Sequence, residues 1–205
     1  MNQPTKIPAT ATILIGGESK RYGSPKWQAT INGRSILDRI WGVCNGFENR
    51  YVIGKEKPDS ISYPFIEDEL DIQAPINGLY TAFNNAKTDW ILLLSCDLPL
   101  IDSKVFKKLW ELRNENYDTL IPIANDKMQV TCGFYHKRIL GKLESEIEKG
   151  NYSIFKLLDN LNSSYVDFGE DDRFLNMNTP EDHEALLIEG DKYYRIFANR
   201  EKEEI

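Results

Sequence analysis

Apolar residues in this chain fall into short unbroken runs that alternate with stretches of helical spacing. That is the layout of an α/β fold with a largely parallel sheet. A β-favouring run over Thr12–Ile15 predicts the first strand, and Gly16 and Gly17 stop it. Ser35, with Asp38 three residues on, suits a helix start, and Ile36, Leu37, Ile40, Trp41, Cys44 and Phe47 recur along one helical face. Tyr51–Gly54 reads as a second strand and Phe65–Asp68 as a short third one at an edge. A loop over Ala74-Pro75-Ile76-Asn77-Gly78 leads into a helix with Leu79, Ala82, Phe83 and Ala86 on one side. Trp90–Leu94 is the strongest strand signal, an apolar run expected at the sheet centre with both faces buried, and it ends in Ser95-Cys96-Asp97-Leu98-Pro99.

The second half continues the alternation. Ser103 suits the cap of a helix carrying Phe106, Leu109, Trp110 and Leu112, and strands follow over Asp118–Ala124 and Met128–Tyr135, where Gly133 suggests a bulge. A helix from Arg138 carries Ile139, Leu140, Leu143 and Ile147 and stops at Gly150; another carries Ile154, Leu157, Leu158 and Leu161. Tyr165–Phe168 predicts a late edge strand. Thr179 and Pro180 then occupy the cap and first position of a last helix. Asn176 and Asn178 alternate ahead of it, so both project from one face of an extended segment. No repeat or linker interrupts the pattern, so a single domain over 1–205 is expected, with its core at about 9–190 and a charged C-terminal tail.

Composition narrows the function. The chain has 205 residues, 41% of them hydrophobic, enough for a core of ordinary size. No segment approaches the roughly 20 apolar residues that span a bilayer, and Met1–Ala9 lacks a signal pattern, so a cytoplasmic protein without a membrane partner is expected. The three cysteines, Cys44, Cys96 and Cys132, are scattered and form no C-x-x-C, which argues for buried thiols rather than disulfides or structural zinc. His136 and His183 are the only histidines, and neither has a companion at ligand spacing. Cys96 beside Asp97 reads as a packed thiol, since nothing near it in sequence marks it as activated.

A net charge of -7 disfavours a nucleic-acid surface but leaves room for a small anion where cations gather. Lys20, Arg21 and Lys26 gather just after Gly16-Gly17, and glycines let backbone N–H groups line an oxyanion. The stretch is neither a P-loop nor a dinucleotide G-x-G-x-x-G, and a glycine turn with solvated charges fits it equally well. Gly78 stands at a helix start that could face an anion or only open the helix. Asp97, at the carboxyl end of the most apolar strand, suits a hard cation, although it could also cap the turn before Pro99.

Taken together, Leu14-Ile15-Gly16-Gly17-Glu18-Ser19-Lys20-Arg21-Tyr22-Gly23 with Lys26 is similar to the L-A-G-G-x-S-x-R-M-G-x-x-K signature of the MobA-like nucleotidyltransferases. The likeness continues in order through Asn32-Gly33, Glu67-Asp68, Pro75-Ile76-Asn77-Gly78-Leu79, Cys96-Asp97-Leu98-Pro99 and Asn176-Met177-Asn178-Thr179-Pro180. This resemblance implies a Rossmann-like three-layer α/β sandwich with a mostly parallel central sheet, similar to the nucleotide-diphospho-sugar transferases. It also implies transfer of GMP from GTP to molybdopterin, with Mg²⁺ as cofactor and other molybdenum-cofactor synthesis proteins as candidate partners.

Carried over by position, Leu14, Ile15, Gly16 and Gly17 match the guanine- and phosphate-binding turn, Lys26 the lysine on the nucleotide phosphates, and Asp68 a nucleotide-binding aspartate. Gly78 falls in the block before the second helix, Asp97 matches the Mg²⁺ ligand, and Asn176 and Asn178 match the acceptor side. Lys26, Asp97 and Arg21 are thus the expected catalytic groups. The chain departs from the pattern at Ile15, Tyr22 and Ala74, and offers Ile53 or Gly54 where a base-contacting asparagine is common. Relatives that transfer CMP read A-A-G where this chain has Ile15-Gly16-Gly17, and the second glycine leaves more room for a purine. Transfer of CMP, or of a nucleotide to another small molecule, and a non-catalytic nucleotide-binding module are the alternatives.

Overall fold

A computed structural model describes residues 6–16 and 25–187. In its sheet β1 (Ile7–Leu14) is paired in parallel on one side with β4 (Phe47–Gly54) and on the other with β6 (Trp90–Ser95). β5 (Phe65–Glu67) adds a parallel edge beyond β4. Beyond β6 lies β9 (Cys132–His136), antiparallel to it and to β7 (Thr119–Ala124), and β10 (Ser163–Asp167) closes that side parallel to β7. The described order is therefore β10-β7-β9-β6-β1-β4-β5, a mostly parallel sheet as expected, with one reversed strand inside it.

Side chains of neighbouring positions enter different layers, and this makes a sandwich. Along β6, Leu92 and Leu94 join one core with Ala11 and Ile13 of β1, whereas Ile91 and Leu93 join the other. The first core is covered by α1 (Ile36–Val43) through Ile36, Leu37 and Ile40, and by α3 (Ser103–Glu111) through Val105, Phe106 and Leu109. The second is covered by α2 (Pro75–Asn85), α4 (Leu140–Glu148) and α5 (Ile154–Leu158). Ile91 to Leu94 are all 0% exposed, as an unbroken apolar run at a sheet centre requires. Within the sheet, Thr12 Oγ1 donates to the Leu92 carbonyl and the Thr10 and Thr88 hydroxyls bond each other, so these buried hydroxyls are satisfied.

Several expectations are corrected. Phe47 does not continue the first helix: the chain tightens into a 3-10 turn at Cys44–Gly46, and Phe47 opens β4, still buried in the same core. Asp102, not Ser103, caps α3, accepting from the Lys104 and Val105 amides; a carboxylate one residue earlier reaches both free N–H groups. The stretch Met128–Tyr135 splits into β8 (Lys127–Met128) and β9, both against β7. Gly133 is no bulge, because it pairs in register with Leu93. Its missing side chain instead admits neighbours, since a Cβ there would stand 2.6 Å from Ile121 Cδ1 and 3.1 Å from the Leu120 carbonyl oxygen.

Positive-φ pairs build both tight hairpins. Asn32-Gly33 joins β2 (Thr30–Ile31) to β3 (Arg34–Ser35), and Asn125-Asp126 joins β7 to β8. The last helix, α6 over 180–187, starts as expected: the Asp182 amide donates to Thr179 Oγ1 while Asp182 Oδ2 accepts from the Asn178 and Thr179 amides.

Candidate active site

The connection leaving β1 runs to β4 on one side, while β6 lies on the other, so the strand order reverses between β1 and β6. Ligands of open α/β sheets collect outside the carboxyl ends of strands at such a point. Here the ends are tied together. The Ile15 amide donates to the Ile53 carbonyl, the Cys96 amide to that of Leu14, and the Ser95 amide to that of Thr131. Leu14, Ile15 and Gly16 thus lie between the ends of β4 and β6. Gly17 and Arg21 lie outside the described residues.

Asp97 follows β6 directly. Among the described residues its buried Oδ1 has no hydrogen-bond partner, while its backbone carbonyl accepts from the Met177 amide at 2.8 Å. That bond brings the late segment to the strand end, with buried Met177 between Asn176 and Asn178. Lys26 sits in a 3-10 turn anchored by buried Trp27, and its Nζ donates to Asn178 Oδ1 at 2.9 Å across 152 residues of sequence. Asp97, Lys26 and Asn178 are therefore gathered from three parts of the chain.

On the far side of β1 stands Asp68. Its amide donates to the Gly54 carbonyl, and its Oδ2 lies 3.9 Å from where a Cβ on Gly16 would be. Burial pushes this carboxyl above the usual range, with Lys55 acting in the opposite sense. Gly78 faces inward: a Cβ there would come within 2.4 Å of Leu14 Cδ2, so its bareness lets α2 settle on the end of β1.

Asn77 and Thr81, one turn apart on the buried side of α2, carry a role that the sequence did not assign. They bind the segment that follows Asp68, through the Glu69 and Leu70 amides and the Leu70 and Ile72 carbonyls. The readable sign was two polar side chains at i and i+4 on an apolar helical face.

Cys96 is no nucleophile. Burial first, then the adjacent Asp97 charge, push its thiol up to about 12 against the pull of Lys26. Both histidines lie elsewhere. His136 ends β9 at the opposite pole, beside a surface cleft that includes Trp90 and Arg138, and His183 Nε2 lies 2.9 Å from the Thr30 carbonyl.

No cluster of three or more His, Cys, Asp or Glu side chains suited to a metal occurs among the described residues. A hard cation that keeps most of its water and binds through one or two carboxylates and a substrate's phosphates needs no such cluster. The lone buried oxygen of Asp97 at a strand end fits that donor set.

Fold and site together define a nucleotide-handling α/β transferase. The chain belongs to the MobA-like NTP transferase domain family, whose pattern matches residues 11–164. The probable molybdenum cofactor guanylyltransferase of Aquifex aeolicus is 35% identical over 190 residues, 90% of this chain and 92% of that protein. The molybdenum cofactor guanylyltransferase of Vibrio parahaemolyticus is 30% identical over 188 residues, 89% and 95% of the two chains. Among solved structures, molybdopterin-guanine dinucleotide biosynthesis protein A from Archaeoglobus fulgidus shares the fold with a TM-score of 0.76 at 20% identity, covering 89% of this chain and 99% of that one. The protein is thus a nucleotidyltransferase, and enzymes of this family generally work with a divalent metal. No helix among the described residues is long and apolar enough to cross a membrane.

Proposed function

We propose that this protein transfers GMP from GTP to molybdopterin with release of pyrophosphate, acting in the cytoplasm. The support is the family, the shared naming of the relatives as molybdenum cofactor guanylyltransferases, and one observation in particular: a buried carboxylate oxygen of Asp97 has no hydrogen-bond partner among the described residues, and the Asp97 backbone is bonded to Met177, next to the Asn178 that takes the Lys26 ammonium.

In the reaction, an oxygen of the acceptor's phosphate attacks the α-phosphorus of GTP in line. The bond from that phosphorus to the bridging oxygen breaks, and pyrophosphate leaves with the electron pair. No protein nucleophile is needed, so the residues act by placement and charge. Backbone N–H groups of the turn from Leu14 through Gly17 hold the nucleotide, Asp68 receives its donors, and Lys26 offsets charge on the departing phosphates, helped by Arg21. Gly78 lets the start of α2 lie close under the bound nucleotide. Asn176 and Asn178 face the acceptor. Asp97 would hold Mg²⁺, which when bound neutralises phosphate charge.

The test is pyrophosphate release from GTP, CTP, ATP or UTP, each with Mg²⁺ and molybdopterin. Release with GTP above the other nucleotides is expected. A preference for CTP would move the product to the cytidine dinucleotide, and no release with any nucleotide would leave a binding module.

A further inference from the structure

Asn77 is 1% exposed, yet its amide is fully engaged. Its Nδ2 donates to the Leu70 carbonyl at 2.6 Å and to the Ile72 carbonyl at 3.1 Å, using both hydrogens. Its Oδ1 accepts from the Leu70 amide at 3.2 Å and from Thr81 Oγ1 at 3.4 Å. Thr81 Oγ1 in turn accepts from the Glu69 amide at 3.0 Å, and Glu69's carboxylate takes one bond each from Asn84 and Asn85 at 2.7 Å. Apart from the Thr81–Asn77 bond within α2, every link joins 69–72 to that helix. This segment has no ladder partner, so these side chains replace the sheet bonds that an extended chain otherwise makes.

We propose that Asn77, supported by Thr81, is a positioning residue that fixes the Asp68 carboxylate beside Gly16 at the edge of the nucleotide site. The inference rests on the proposed nucleotide site. Asp68 is held from one side by its amide bond to Gly54 and from the other by this clamp. Its carboxylate lies close beside Gly16, so the clamp determines where that carboxylate meets the end of β1. Loosening 69–72 moves Asp68 but leaves Asp97 and Lys26 in place, because these are tied to the late segment instead. The defect therefore falls on nucleotide binding and not on the chemical step.

The experiment compares wild type, Asn77→Ala, Asn77→Asp and a stability control, Thr10→Val, which loses a buried hydroxyl bond far from the site. The Asp variant keeps the acceptor oxygen but turns a second oxygen on the Leu70 and Ile72 carbonyls. Hydrogen exchange should show the Glu69 and Leu70 amides protected in wild type and in Thr10→Val, and opened in both Asn77 variants. The KM for GTP should rise about tenfold in Asn77→Ala and further in Asn77→Asp, with kcat within about threefold of wild type. Thr10→Val should keep the wild-type KM despite a lower Tm. An unchanged KM in an Asn77 variant of an active enzyme would overturn the inference, as would equal loss of kcat and kcat/KM. Should wild type transfer no nucleotide, the proposed function fails by itself, and unopened Glu69 and Leu70 amides in the Asn77 variants would then overturn the clamp independently.

Discussion

Asp97→Ala is expected to make the metal-free protein more stable and the enzyme far slower. Oδ1 of Asp97 is buried with no hydrogen-bond partner among the described residues. A buried polar atom left unsatisfied costs about 1–3 kcal/mol. Truncation removes that cost but also some packing, since Asp97 is half-buried between fully covered neighbours, so a net gain of about 1 kcal/mol is expected. For a chain of this length that is a rise in Tm of about 2–4 °C. Turnover should fall by about 10²–10³, as for loss of a preorganised charge stabiliser. Thermal unfolding in a chelator and pyrophosphate release read the two effects separately. Adding Mg²⁺ and GTP should then raise the wild-type Tm by mass action, by about 2.7 kcal/mol of stability at a hundredfold excess over Kd, and raise the variant far less. Asp97→Asn keeps the shape and an unpartnered polar atom, so its Tm in chelator should move less than that of the alanine variant. A drop in Tm for Asp97→Ala, or turnover within tenfold of wild type, would refute the view that this oxygen is kept unpaired for a cation.

Lys26→Ala should lose about 10²–10³ in turnover, and Lys26→Arg should not restore it, since a planar guanidinium cannot reproduce a compact ammonium; steady-state kinetics of both variants check this. Gly133→Ala forces a Cβ to within 3.1 Å of the Leu120 carbonyl oxygen, a backbone atom that cannot swing away, so chemical denaturation should show a loss of about 1–3 kcal/mol. Burial, then the Arg138 charge, hold the His136 imidazole below its usual range against the pull of Asp89 and Asp118. The folded form thus binds fewer protons than the unfolded one, and the stability this gives is present above the unfolded pKa near 6.5 and lost as pH falls through it. His136→Gln should therefore flatten the fall in Tm between about pH 7.5 and 5.5, and an equally steep fall would refute the assignment.

The elements that could be read from sequence are those whose signal is local. Trp90–Leu94 announced a central strand because every residue in it must meet a covered face, and Thr179-Pro180 announced a helix because capping involves only the next three residues. The errors also have local causes. Phe47 continued a helical spacing by chance while the chain had already turned, and Gly133 looked like a bulge because sequence does not show what lies against a glycine. For the candidate site, Asp68 and Asp97 were legible at strand ends, and the run expected to reach Ile15 before Gly16 ends at Leu14. Asn77 and Thr81 left only the mark of two polar residues on an apolar helical face, because most of their partners are backbone groups that leave none on residue type.

By itself, then, the sequence determined the alternation of strands and helices, about where most of them lie, and which motif blocks occur in which order. Burial, capping and turn chemistry depend on neighbours a few residues away, and the residues record them. Only the tertiary structure decided that β9 runs against its neighbours, that Lys26 meets Asn178 from 152 residues away, and that Asp97 keeps an oxygen unpaired. Those outcomes depend on which strand edges and side chains come together once the two layers of helices have closed over the sheet, and no periodicity along the chain encodes that choice.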